Sequence, residues 1–284
     1  MKLTITLLAT LFVSVVTFAE VSVSEKNALI KLYSSTNGNQ WITKWNITTQ
    51  VSSWHGVRVV NDKVVSVNLS SNNLTGVLPN EISDLVNLKS LNLFQNNISG
   101  QLPASIGNLK SLESLNIAFN KLSGSIPNEL CQATSLKSLE LFMNNLSGSI
   151  PNNISKLKKL ELLSLYNNLI SGEITSELYK LTSLKVLQLN SNKLSGNLSN
   201  EIANLTLLEN LSLFDNNFNG QVPFDLEKLT NLKEMNISYN NFNGFVSSKL
   251  AKKDILNMTM VNEFGVASVL KIEVDKNKAI VSEE

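Results

Sequence analysis

The chain has 284 residues, 43% of them hydrophobic and 17% charged, which is enough apolar surface for one large domain or two small ones. Its 24 basic and 23 acidic residues nearly cancel and form no basic cluster, which argues against nucleic acid or anionic lipid as the main partner. A single cysteine, Cys131, leaves no internal disulfide, so packing has to supply the stability.

At the N-terminus, Lys2 precedes an apolar run from Leu3 to Phe18, and Thr17-Phe18-Ala19 places small residues where a signal peptidase needs them. This predicts a secretory signal peptide over residues 1–19, cut before Glu20. The run falls short of the ~20 apolar residues of a membrane span, and no later segment is apolar enough to be one. Removing it takes away Lys2 and no acid, which leaves 23 residues of each sign and a net charge of zero.

From Val64 onward the sequence repeats. Val64, Leu88, Leu112, Leu136, Leu160, Leu184, Leu208 and Leu232 are spaced by 24 residues without a slip, giving eight units over residues 64–250. Counting each unit from that residue, position 9 is Asn in all eight (Asn72 to Asn240), and position 13 is Gly in all eight. All five prolines stand at position 16. Apolar positions 4 and 6, such as Leu91 and Leu93, alternate with polar ones and predict a short strand with one buried face. The Asn amide can both donate to and accept from backbone groups that a turn leaves unpaired, repeating from coil to coil. Gly at 13 permits a backbone shape closed to other residues, and Pro at 16 fixes φ where no ladder donor is needed. Apolar residues at 11, 15, 19 and 22 (Ile98, Leu102, Ile106, Leu109) complete an interior that only a stack of units can bury.

The pattern LxxLxLxxNxLxGxLPxxIxxL resembles the leucine-rich repeat family, in the 24-residue type of plant extracellular receptors and polygalacturonase inhibitors. The resemblance implies an α/β solenoid, a right-handed superhelix with a concave parallel sheet, an irregular or 3-10 convex side and a helical N-terminal cap. Residues 20–63, with ALIKLYSSTNGNQWITKWN and SSWHGVRV, look like that cap. The plant cap carries paired cysteines around its W-x-G-V motif, and residues 41–60 have none, which suits the cysteine-poor versions of bacteria and other microbes. Trp41, Trp45 and Trp54 are then expected to close the core by burial. Residues 251–284 leave the pattern. LKIEVDKNKAIV reads either as a hairpin over the last coil, with Leu270, Ile272 and Val274 inward, or as a tail.

Catalytic constellations do not assemble in this sequence. The single His, His55, lies in the cap motif, Cys131 sits beside a core leucine, the acids are scattered, and the glycines are turn glycines. The reading is therefore no enzyme, no cofactor and no metal site. The triplets at Asn73, Asn97, Asn145 and Asn197 match the N-glycosylation sequon, but the repeat's own grammar writes some of them.

Positions 2, 3, 5, 7 and 8 are expected to face outward from the concave sheet, on a surface about 35 Å long at about 4.8 Å per strand. Position 2 alternates in sign from Lys89 through Glu113, Lys137, Glu161, Lys185 and Glu209 to Lys233, a ladder that serves register and solubility. Position 5 forms a polar floor. Positions 7 and 8 hold Phe94, Phe119, Phe142, Met143, Tyr166, Phe214 and Tyr239, the candidate ligand-binding residues, densest over units 2 to 5. Two readings of these rings stay open: neighbours packing on one another as scaffold, or a binding patch, since contiguous apolar surface is seldom left without use.

The leading reading is a secreted or cell-surface module that binds a protein or peptide on its concave face. The alternative is a binder of cell-wall or matrix polysaccharide, with rings stacking on sugars. An ice-binding surface is the least favoured, because the hydroxyl column at position 12 (Thr75, Ser99, Ser123, Ser147, Ser171, Ser195) stands beside an irregular position 14.

Overall fold

A computed structural model describes residues 20–253, 259–261, 267–269 and 271–273. The expected signal peptide, residues 1–19, lies outside the described residues. An α-helix, Val23–Ser35, is the first element among the described residues and starts on Ser22, whose hydroxyl accepts from the Glu25 N–H. Glu25 is buried. Its carboxylate accepts from the Ser22 hydroxyl and, at 3.2 Å, from the Val64 N–H, which ties the cap to the first repeat. The hairpin Val57–Val60 with Lys63–Asn68 turns on Asn61 and Asp62, both at positive φ, and starts the concave sheet.

Units 2 to 8 then each contribute one three-residue strand at positions 3 to 5, as in Ser90–Asn92 and Ser114–Asn116, beside the Lys63–Asn68 strand of unit 1. They pair in parallel and in register, Leu91 on Leu115 and Leu115 on Leu139, in a nine-stranded sheet that includes the hairpin. The pattern identified position 9 onward only as a turn. The structure shows more: positions 10 to 14 form a second parallel sheet of eight strands, from Thr75–Val77 to Asn241–Asn243. Its serines bond backward to the previous coil, Ser99 to the Gly76 carbonyl at 3.1 Å and Ser123 to that of Gly100 at 3.5 Å. Ser171 does the same to Gly148, so part of the position 12 hydroxyl column is engaged in holding coils together. Pro79, Pro103, Pro127 and Pro223, at φ between −79° and −63°, each introduce a 3-10 turn on the remaining side.

The Asn column runs through the whole stack. Asn96 Oδ1 accepts from the Leu74 N–H at 2.9 Å, and its Nδ2 donates to the Leu69 and Leu93 carbonyls at 2.9 and 3.0 Å. Asn144 repeats this with Leu122, Ile117 and Leu141, and Asn240 with Phe218, Leu213 and Ile237. Asn72 has no earlier unit, and Thr43 of the cap takes that place, giving its N–H and its carbonyl. The eight repeat glycines lie at φ +74° to +93°. Gly56 of the W-x-G-V motif is held at φ +74° and passes so close to Asn68 that a Cβ would stand 1.9 Å from its carbonyl oxygen.

The core is one continuous apolar column closed at the N-terminal end by Trp41, Trp45 and Trp54, all buried and in ring contact through Trp45. Cys131 fills part of it, and burial pushes its thiol up to about 11, away from nucleophilic use. At the other end Phe218 and Phe242 replace the leucine of position 11 and stack at 6.0 Å. Beyond them, Phe245–Ser247 pairs in parallel with Lys271–Glu273, and Thr259–Val261 pairs antiparallel with Ala267–Val269. The segment expected as a hairpin over the last coil thus supplies a parallel strand, and the antiparallel pair lies earlier in the chain. The side chains of Leu270, Ile272 and Val274 lie outside the described residues.

Replacing Asn144 by Ala strands the buried Leu122 N–H and leaves the Ile117 and Leu141 carbonyls with only Asn120 and Asn168 as side-chain donors, so it should cost about 1–3 kcal/mol, against within about 0.5 kcal/mol for exposed Asn145→Ala. Urea denaturation of the two variants measures the difference, and equal midpoints would contradict the ladder.

Candidate functional site

Parallel strands in strict register place the same position of successive units side by side, so a column in the sequence becomes a row on the concave face. The position 2 row comes in three separate ion pairs: Lys137 on Glu113 and Lys185 on Glu161, each at 2.7 Å, and Lys233 on Glu209. In each pair the lysine's hydrogen bond and charge hold the glutamate below its usual range. The four chief members, Glu113, Lys137, Glu161 and Lys185, all stand in solvent, so this row is scaffold rather than site.

The polar floor at position 5 is partly committed. Asn92, Asn116 and Asn236 turn their side-chain oxygens to the N–H two residues on, at 3.0 to 3.2 Å, which shapes the bend after each strand. That bend sets position 8 in the left-handed region in all eight units. Five units put small or polar residues there, whereas units 3, 4 and 8 put Phe119 (φ 58°), Met143 (53°) and Tyr239 (57°).

The structure brings Phe119, Phe94, Phe142 and Tyr166 into one row. Phe94 meets Phe119 edge-on at 5.8 Å and Phe142 at 6.2 Å, and Phe142 stacks on Tyr166 at 4.4 Å with 10° between planes. Phe94 and Phe142 belong to strands two spacings apart, about 9.6 Å, so at 6.2 Å their rings converge over the intervening position 7, Ala118, which is fully buried. An alanine between two phenylalanines leaves room for the rings to meet. Burial also raises the Tyr166 hydroxyl pKa, with the Glu140 charge adding to it. Phe94, Phe142, Tyr166 and Met143 are half-buried, while Phe119 is 44% exposed. The two readings of the rings therefore divide by residue: Phe94 and Phe142 pack as neighbours, and Phe119 is presented to solvent.

Phe214 and Tyr239 do not join this row. They form a second pair at 5.1 Å, separated from it by the polar Asn190 of unit 6. Beside Tyr166, over the strands of units 6 to 8, lies a groove of about 310 Å³ lined by Tyr166, Gln188, Asn190, Asn210, Ser212, Glu234 and Asn236, with Leu211 and Met235 beneath. Aromatic counting missed this groove. Its signal was the change of position 3 from Ser in units 1 to 4 to Asn210 and Glu234 in units 7 and 8. Asn210 Nδ2 donates to Glu234 at 2.8 Å, and Ser164 donates to Gln188 at 3.0 Å. His55 is exposed, and among the described residues no group of three or more His, Cys, Asp or Glu gathers as a metal site would.

The family described as Leucine Rich Repeat matches residues 63–85, 87–109, 111–133, 135–157 and 183–205. Among curated protein sequences none matches the chain. Among solved structures, it is similar to the ectodomain of the plant membrane receptor kinase GASSHO1/SCHENGEN3 from Arabidopsis thaliana, in complex with Casparian strip integrity factor 2. Identity is 39% and the TM-score 0.62, over 64% of this chain and 22% of that one. The leucine-rich-repeat ectodomain of the Arabidopsis receptor kinase HAESA, in complex with an N-terminally extended IDA peptide hormone ligand, is 26% identical with a TM-score of 0.59, over 87% of this chain and 49% of that one. A plant ice-binding protein is 22% identical with a TM-score of 0.56, over 90% and 99%, and shows the fold alone. The chain thus spans less than half the length of either receptor ectodomain. No helix among the described residues is long and apolar enough to cross a membrane.

Because the ladder glutamates are depressed in the folded state, the stability they add is present above their unfolded pKa and is lost as pH falls through the folded value. NMR titration of Glu113 should show a lowered midpoint that moves up toward the ordinary carboxylate value in Lys137→Ala, with the fold unchanged.

Proposed function

We propose that this chain, a leucine-rich-repeat protein, is an extracytoplasmic binding module that takes an extended polypeptide along its concave face. The observation that carries the reading is the unbroken row of rings from Phe119 to Tyr166, opening directly into the polar groove of units 5 to 8. Aromatic anchors next to adaptable polar groups are how a rigid surface holds a peptide: rings supply buried area at small entropic cost, and amides meet the peptide's backbone. One of the similar receptor ectodomains described above was solved with a peptide hormone and the other with Casparian strip integrity factor 2, which supports a ligand-binding use here. The apolar run ahead of Glu20 supports export. The proposed contact residues are Phe94, Phe119, Phe142, Met143 and Tyr166, with the separate ring pair Phe214 and Tyr239.

Phe119 separates binding from stability. Asn tolerates the left-handed backbone that Phe119 occupies, so Phe119→Asn should leave stability within about 0.5 kcal/mol of the parent or raise it slightly. If the ring is an anchor, the same change should weaken a selected peptide by about 2 kcal/mol, roughly thirtyfold in Kd. The experiment is selection of random 12-residue displayed peptides on the immobilised chain, followed by calorimetry of an enriched peptide on both proteins. Failure to enrich any peptide, or equal affinity for parent and variant, would overturn the reading.

A further inference from the structure

The concave face sorts its charges unevenly. Position 2 neutralises itself in Glu–Lys pairs, but positions 3, 5, 7 and 8 of the eight units hold three carboxylates, Glu140, Asp215 and Glu234, and no Lys, Arg or His. Among the described residues none of the three forms an ion pair. Glu140 accepts from the Ser138 hydroxyl and Glu234 from the Asn210 amide, neutral donors that orient a carboxylate without cancelling its charge. Glu234 lines the groove, and Tyr166 belongs both to the groove and to the ring row, so the apolar and the anionic surfaces are continuous.

We infer that the polypeptide bound here is cationic, with a lysine or arginine side chain seated in the groove against Glu234 while its apolar side chains lie on the rings of units 2 to 5. The inference rests on the peptide-binding reading above and adds the chemistry of the ligand to it. Three kinds of group in the groove fit such a cation. Glu234 supplies the charge, the side-chain oxygens of Gln188 and Ser212 can accept its remaining N–H groups, and the Tyr166 ring offers a face to a guanidinium or ammonium. An acidic segment meets chiefly repulsion on the same floor, since three of the four outer-row lysines are already paired and Lys253, beyond the last strand, gives its ammonium to the Leu232 carbonyl. A neutral segment leaves Glu234 without a counter-charge beneath it.

The peptide selection described above tests this through a different readout, the charge of what is selected. On the parent chain, lysine and arginine should be enriched at least about threefold over the naive library. On Glu234→Gln, which keeps the shape and the Asn210 contact, the enrichment should vanish, and an individual cationic peptide should weaken about tenfold at low salt, with the loss shrinking as salt rises. Glu234→Lys should reverse the preference toward aspartate and glutamate. Selection of neutral or acidic peptides by the parent, still lost in Phe119→Asn, would overturn the cationic assignment and leave the peptide reading standing. Selection of no peptide would overturn both. Cationic selection that persists unchanged in Glu234→Gln and Glu234→Lys would remove Glu234 from the assignment.

Discussion

The Asn at position 9 is the constraint on which the rest of this molecule depends. One side chain satisfies an N–H of the preceding coil and two carbonyls, one from each coil, at distances near 3 Å. A buried amide with a missing partner is costly, so each coil accepts its neighbour at a single offset. That offset is why strands of only three residues pair without slipping, although strands so short carry little register information of their own. The rows on the concave face follow from it. A shift of one residue would bring Ser90 opposite Leu115, and the rings of position 7 would no longer line up.

The ends of the stack show the same constraint. A first coil has no predecessor, so Thr43 stands in for one at Asn72, and the Glu25 carboxylate receives the Val64 N–H, which in later units goes to the carbonyl three residues back, as Leu88 to Leu85. Neither contact was legible in the sequence, because each joins residues 29 or 39 positions apart through a polar group with no periodic signature. The eight coils themselves were legible, since a residue repeated at fixed spacing must occupy one structural environment. Gly at positive φ, Pro before a 3-10 turn and buried aliphatics at 4, 6 and 11 all followed from the chemistry of single columns. The second sheet did not. Its strands carry a buried residue only at position 11 and polar or glycine residues beside it, so no alternation announces a strand.

The candidate site was legible in its columns but not in its contacts. Counting rings at positions 7 and 8 marked seven residues as one group, and the structure divides them into a row of four, a separate pair and a lone methionine. The division turns on residues without aromatic character. Ala118 is small enough for Phe94 and Phe142 to meet above it, and Asn190 interrupts the row between Tyr166 and Phe214. Where a ring is missing is as informative as where one stands, because the gap is where the groove opens.

Energetics distinguish the rings that the fold needs from those it does not. Phe94 and Phe142 gain packing from each other, and Phe142 also from Tyr166, so stability alone explains their presence. Phe119, Met143 and Tyr239 stand at a bend that in other units is filled by Ser71, Gln95, Asn167, Ser191 and Asp215, side chains that are small or polar. A bulky residue held in the left-handed region costs on the order of 1–2 kcal/mol, and Phe119 and Tyr239 are each still 44% exposed, so burial returns only part of that cost. A scaffold shaped by stability alone would place asparagine or glycine there. Strain kept at exposed aromatic residues, in line with a groove and on the face that carries the uncompensated charge, is the pattern of a surface held ready for a partner.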